Sequence, residues 1–284
     1  MWSPYMHLRI LTLNVWNRSG DPRRTRVINR ELRRLAPDLM SFQEVVADRE
    51  PGHLDQLVDG LDVQRTHQVE VMPTVPPDVE RYGGMGLATR WPHRIVEVLD
   101  LRQADALDVP WCTLAAVVSL PGEGELLFIA AAMEWRLDAE AARERQAVAL
   151  TDLDARHRRD LPTIIAGDFN AAPDAASIRY LTGRQSLAGR SVCYHDAWSV
   201  AGDGPGYTWN IDNPNARSEI DKIVRQPAHR RRIDHVFVGS WHAHPRAHAH
   251  VRAATLAFDR PLADGVWASD HAGLVVDLDI GRAD

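Results

Sequence analysis

Short apolar runs in this chain repeatedly break off on a carboxylate or a carboxamide, and that pattern restricts the folds open to it. Arg9–Trp16 alternates in the manner of a strand and carries Asn14 near its end. Asp38–Val46 is an apolar strand that closes on Gln43 and Glu44, and Thr163–Ala166 leads into Gly167-Asp168-Phe169-Asn170. Ile233–Val238 carries Asp234 and His235, and in all four cases the polar residues are read at the C-terminal end of the strand. Ser269-Asp270-His271 stands just before a last alternating strand containing Leu274, Val276, Leu278 and Ile280. A carboxylate at the end of a buried strand is costly unless it is paired, hydrogen-bonded or bound to a cation. Several of them predict that the strands deliver their ends to one shared, charged site. An oxygen-rich donor set without thiolates suits a hard ion such as Mg²⁺ or Mn²⁺ better than zinc.

Further strands are expected at Val63–Met72, Met85–Arg90, Ile95–Arg102, Thr113–Leu120 and Leu126–Met133. Two helices interrupt them. In the first, Val27, Ile28, Leu32 and Leu35 share one face before Pro37, while Arg23, Arg24, Arg26, Arg30, Arg33 and Arg34 read as a solvated face. The second runs from about Ala139 to His157, with Ala142, Ala149, Leu150 and Leu153 inward and Asp138 as its N-cap. Strands outnumber helices, so the expectation is an α+β sandwich, two sheets covered by a few helices. The 284 residues contain no linker, repeat or low-complexity tract, which predicts one domain over residues 1–284.

Hydrophobic residues at 45% and charged residues at 25% exclude a disordered or fibrous chain. A net charge of −6 withholds the positive field that drives unspecific nucleic-acid binding. Cys112 and Cys193 are too few for a disulfide framework or a structural zinc site, and read as small buried hydrophobes. Met1–Arg9 lacks an apolar leader, and no run approaches the roughly 18 apolar residues of a membrane span. A cytoplasmic location is expected.

The succession Leu-Asn-Val-Trp (residues 13–16), Gln43-Glu44, Gly-Asp-Phe-Asn (167–170), Arg-Arg-Ile-Asp (231–234) and Ser-Asp-His (269–271) resembles the endonuclease/exonuclease/phosphatase superfamily. That group includes DNase I, abasic-site endonucleases, inositol-phosphate 5-phosphatases and neutral sphingomyelinases, and the resemblance covers residues from about 8 to 280. It implies a DNase I-like four-layer α/β/β/α sandwich and a Mg²⁺- or Mn²⁺-dependent phosphoester hydrolase, a phosphodiesterase or phosphatase using in-line attack by an activated water. Residue by residue, Glu44 is the implied principal metal ligand, with Asn14 beside it and Asp270 from the other side. Asp168 is implied to orient or deprotonate the water and Asn170 to hold a phosphate oxygen. His271, paired with Asp234, is implied to contact the scissile phosphate.

One position departs from the family pattern. Many relatives carry a Thr-His-Leu-like motif where this chain reads Ala131-Ala132-Met133, so Ala132 occupies the usual histidine position. A general acid contributes about 10²–10⁴-fold in rate. The alanine is compatible with a substitution that traps substrate, with a member that uses another group or water, and with a non-catalytic phospholigand-binding or repurposed metabolite-transforming member. Tyr82, His67 and His195 are substitutes by residue type alone.

Tyr207 and Trp209 are expected to stack on substrate or to pack their own loop. Arg230, Arg231 and Arg232 stand close enough to Asp234 for one to reach a phosphate, but solvated or structural roles are preferred, and Gly83-Gly84-Met85-Gly86 reads as a turn into a strand. His242, His244, His248 and His250 read as a solvated loop or edge strand rather than a transition-metal site. The acidic balance favours a small-molecule or lipid-headgroup phosphoester over nucleic acid as substrate.

Overall fold

The computed structural model describes residues 5–47, 51–75, 78–104, 110–262 and 265–283. Its strands are β1 (Met6–Asn14), β2 (Leu39–Val45), β3 (Gln64–His67), β4 (Gly84–Thr89), β5 (His93–Asp100), β6 (Cys112–Leu120) and β7 (Gly124–Ala132). They continue as β8 (Ile164–Asp168), β9 (Tyr194–Asp196), β10 (Trp209–Asn210), β11 (Arg230–Arg231), β12 (Asp234–Gly239), β13 (Ala247–Ala257) and β14 (Gly273–Arg282). One six-stranded sheet runs β13-β14-β1-β2-β4-β3, the other β5-β6-β7-β8-β12-β9, and β10 pairs with β11 as a short ribbon.

Alternation along the strands builds the layers. Leu8 and Ile10 of β1, Ala130 and Ala132 of β7 and Ala166 of β8 point into the core between the sheets. Leu11 and Leu13 face the opposite way, onto Ile28 and Leu32 of the helix Arg24–Leu35. Ile129 and Ile165 likewise meet Ala147, Leu150 and Leu153 of the helix Glu140–His157. Strands covered on both faces read as nearly continuous apolar runs, which is why their polar ends stand out in the sequence. Helix, sheet, sheet and helix form the four-layer sandwich that the resemblance implied.

Both sheets share a central arrangement that fixes the site. In one, β1 has β2 parallel on one side and β14 antiparallel on the other. In the other, β8 has β7 parallel and β12 antiparallel. Parallel neighbours end at one rim, and an antiparallel neighbour starts there. Asp234 therefore stands at the beginning of its strand, directly across from Asp168, and not at the C-terminal end that the sequence suggested.

Other expectations also shift. The run Val63–Met72 is a strand only over Gln64–His67; Gln68 then turns inward, accepting from Met85 N at 2.7 Å and donating to Pro110 O at 2.6 Å. Asp138 does not cap the second helix, which begins at Glu140 without a side-chain cap. Its inner face carries Ala147, whereas Ala149 is only partly buried. Cys112 is buried as expected, but Cys193 is exposed. Among the His-rich residues, His248 and His250 lie on edge strand β13, while His244 is buried and contacts Arg159 O and Thr163 N. The leader reading of Met1–Arg9 falls partly on residues 1–4, outside the described residues. No helix among the described residues is long and apolar enough to cross a membrane.

Candidate active site

Two close backbone approaches place the acids. Between Phe42 and Val45 the β2–β4 register slips, and Glu44 adopts a left-handed φ of 59°. A bulge of this kind re-aims the side chain it carries. Gly83, itself at φ 77°, lies against the Glu44 backbone so closely that any Cβ would collide with it. Gly167 plays the matching part in the other sheet, where a Cβ would collide with the Ala131 carbonyl. That approach sets β7 beside β8 and aligns Ala132 with Asp168, both toward the space between the sheets.

The rim gathers Asn14, Glu44, Asp168, Asn170, Asp234, Asp270 and His271 around a small volume. Asn14 Nδ2 lies 3.1 Å from Glu44 Oε1 and 3.2 Å from Asp168 Oδ2, bridging the two sheets. Its own oxygen accepts from Trp16 N at 2.8 Å, so Asn14 turns a donor, not an acceptor, toward the acids. His271 Nδ1 and Asp234 Oδ2 are 2.9 Å apart, and ligand-type atoms of Asp168, Asp234 and His271 all fall within 4.8 Å of one another. The other oxygen, Asp234 Oδ1, is buried without a hydrogen-bond partner among the described residues. Asn170 donates to Met133 O at 3.0 Å, and its second N–H has no partner among the described residues, leaving it to serve a ligand.

These carboxyls strain against one another. Burial, with Asp270 nearby, pushes Glu44 up to about 8, although Asn14 and His271 oppose the rise. Burial and Asp234 push Asp168 up to about 7, and burial also raises Asp270. Burial would lower the His271 imidazole, yet Asp234 and Asp270 together lift it well above its ordinary value. The imidazole is thus a held cation. Replacing Asp234 with Asn is expected to lower the His271 pKa, since the largest source of its upward shift is removed, and to reduce turnover roughly 10–100-fold, as loss of an orienting partner does. An NMR titration of the His271 ring showing no change would contradict this account.

An excess of carboxylates, an orphaned buried oxygen and the absence of thiolates among these donors fit a hard divalent cation. Several residues to which the sequence assigned no role support these side chains. Asn17 donates to Glu44 Oε2 at 3.1 Å, and Ser269 Oγ donates to Asn14 O at 2.6 Å. Thr208 Oγ1 accepts from Ile233 N and Asp234 N, tying its loop to the start of β12. Arg24, expected on a solvated face, is buried and donates to the carbonyls of Val15, Trp16, Asn17, Ser19 and Ala268, clamping both loops behind Glu44 and Asp270.

Among the described residues, the side chains of the other aromatic and histidine candidates make no hydrogen bond to this cluster. Trp209 is buried with Ile211, Ala216, Ile220 and Ile233 in a small satellite core, whereas Tyr207 is 38% exposed. Tyr207, Trp198 and Trp267 line a groove of about 310 Å³ together with Asp203, Asp212 and Asp259. His67 is committed to Val45 O and Val69 N. His195 pairs with Val238, about 13 Å along β12 from Asp234 at some 3.3 Å per residue. Tyr82 is 42% exposed.

The sequence profile of the Endonuclease/Exonuclease/phosphatase family matches residues 11–271. No curated protein matches the chain. Among solved structures, a humanized D. rerio TDP2 carrying 14 mutations aligns with a TM-score of 0.71 at 20% identity, covering 96% of this chain and 98% of that one. D. rerio TDP2 complexed with a single-strand DNA product gives 0.69 at 19% identity, over 96% and 98%. An endonuclease/exonuclease/phosphatase from Bacteroides vulgatus gives 0.65 at 16% identity, over 96% and 98%. At these identities the likeness is one of fold, and the family assignment rests on the profile, which takes in strands of both sheets and every residue of the rim. The chain belongs to the Endonuclease/Exonuclease/phosphatase family.

Proposed function

We propose that the chain, acting as one cytoplasmic domain over residues 1–284, is a Mg²⁺- or Mn²⁺-dependent phosphoester hydrolase. The observation that carries this reading is the convergence of Glu44, Asp168, Asp234 and Asp270 with a charged His271, leaving Asp234 Oδ1 unpartnered among the described residues. Glu44 and Asp270 are the oxygen ligands, with Asn14 beside them. A bound divalent ion would neutralise charge on the phosphate and lower the pKa of water.

The protein groups then divide the work. Asp168, raised to about 7, is matched to take a proton from the attacking water near neutral pH. Asn170, through its free N–H, and His271, through the ring nitrogen not facing Asp234, hold non-bridging phosphate oxygens as charge builds on them. Asp234 keeps the imidazole charged and oriented. No covalent intermediate is needed.

The preferred substrate is a small-molecule or lipid-headgroup phosphoester. The groove beside Tyr207 carries three aspartates, an unfavourable lining for a polyanionic strand. Nucleic acid is the second reading, favoured by the fold shared with the D. rerio TDP2 that binds a single-strand DNA product. Hydrolysis of bis-p-nitrophenyl phosphate with Mg²⁺, Mn²⁺ or EDTA tests the activity, and rates on a headgroup phosphodiester and a single-stranded oligonucleotide test the preference. Turnover that ignores EDTA would remove the metal-dependent reading.

Linkage supplies a second check. Glu44 and Asp168 titrate higher in the folded chain, so the metal-free fold loses stability as pH rises from the ordinary carboxylate range through about 7 to 8. A divalent cation relieves that repulsion. Mn²⁺ at about 100 times its Kd should raise Tm by roughly 5–10 °C near pH 8 and much less near pH 4.5. A thermal shift that is flat with pH would contradict the assigned charge state.

A further inference from the structure

Three consecutive arginines, Arg230, Arg231 and Arg232, meet three different environments. Arg230 is paired with exposed Asp212, both contacts at 2.9 Å. Arg232 is buried, bidentate on Asp196 at 3.1 and 2.8 Å, and faces His235. Both are structural, as the sequence suggested.

Arg231 is different. Nη2 donates to Asn170 O at 2.9 Å, and among the described residues that is the side chain's only hydrogen bond, with no carboxylate within ion-pair distance. It is largely desolvated and feels a second cation, Arg143, against the longer-range attraction of Asp168, Glu140 and Asp174. Arg143 in turn holds the carbonyls of Glu134 and Arg136, just beyond the end of β7. The Arg231 guanidinium therefore lies over the Asn170 turn, between Asp168 and the segment that follows Ala132. Desolvated guanidinium with most of its donors unused is costly unless an anion completes it.

We propose that Arg231 contacts a non-bridging phosphate oxygen and supplies the positive charge that a side chain at Ala132 does not. This inference rests on the phosphoesterase reading above. The planar guanidinium fork suits phosphate oxygens. It keeps its proton at any working pH, so no bond to Arg231 forms or breaks. It replaces the charge of a histidine but not its proton, and the substrates served best are esters whose leaving group departs as a stable anion.

The test compares wild type, Arg231→Gln, Arg231→Lys and Ala132→His/Arg231→Gln, reading both inorganic phosphate binding by calorimetry with saturating Mn²⁺ and bis-p-nitrophenyl phosphate kinetics. Arg231→Gln should weaken phosphate binding at least about tenfold, the scale of one charge-assisted contact, and lower kcat more than it raises KM. Arg231→Lys should fall between, and the double variant should regain phosphate affinity. If Arg231→Gln binds phosphate within twofold of wild type, with its Tm lowered, Arg231 is a strut for the Asn170 turn and the proposal is overturned. Should wild type show no turnover on any ester, the hydrolase reading fails on its own, while the phosphate titration still decides the role of Arg231.

Discussion

Glu44→Gln should remove metal-dependent turnover by at least about 10³-fold, since several kcal/mol of charge stabilisation depends on the ion and each 1.36 kcal/mol is tenfold. Glutamine is the informative replacement. It keeps the shape of a side chain that a bulge and a glycine contact aim at the rim, and it removes only the charge. Alanine would also strand the N–H groups of Asn14 and Asn17, confusing loss of a ligand with loss of packing. Removing the charge also removes its repulsion with Asp270. The metal-free variant should therefore melt no lower than wild type at pH 8, while the increase in Tm on adding Mn²⁺ shrinks or disappears. A variant that retained both turnover and the Mn²⁺ response would show that Glu44 is not a ligand.

That site was readable because burying an acid is costly in any fold, so a carboxylate at the edge of an apolar run signals a partner whatever the topology. Direction was not readable. Asp234 borders an apolar run whether the strand leaves or enters the rim, and only pairing against β8 decides. Nor was the Glu44 bulge, because its left-handed backbone depends on Gly83, some forty residues downstream. Arg24 looked like its five arginine neighbours on the helix; what buries it is a set of carbonyls from two loops brought together by β1 and β14. The alanine-rich face of the second helix offered too little contrast to separate Ala147 from Ala149. In the loop after Gly206, Tyr207 and Trp209 were equivalent by type, and the β10–β11 ribbon buried Trp209 while leaving Tyr207 beside the groove.

Ala132→His should raise kcat about 10²-fold on an alkyl phosphodiester, the lower end of what a positioned general acid contributes, and about threefold or less on bis-p-nitrophenyl phosphate. The difference follows from the leaving group. An alkoxide needs a proton as it departs, whereas p-nitrophenolate leaves readily without one. Position 132 is aligned with Asp168, and its Cβ points to the same inter-sheet side, so an imidazole there would stand next to the carboxylate rather than in the helix layer. The nearby acids would favour its protonated form. Ala132 is 2% exposed, so the larger ring costs packing, on the order of 1–3 kcal/mol, and a modest fall in Tm should accompany the gain. The pH–rate profile on the alkyl ester should acquire a falling alkaline limb as the new imidazolium loses its proton. Equal rates for wild type and variant on both esters, with the variant folded, would mean that this rim does not use position 132 as a proton donor, and that the alanine is no deficit for the reaction this chain performs.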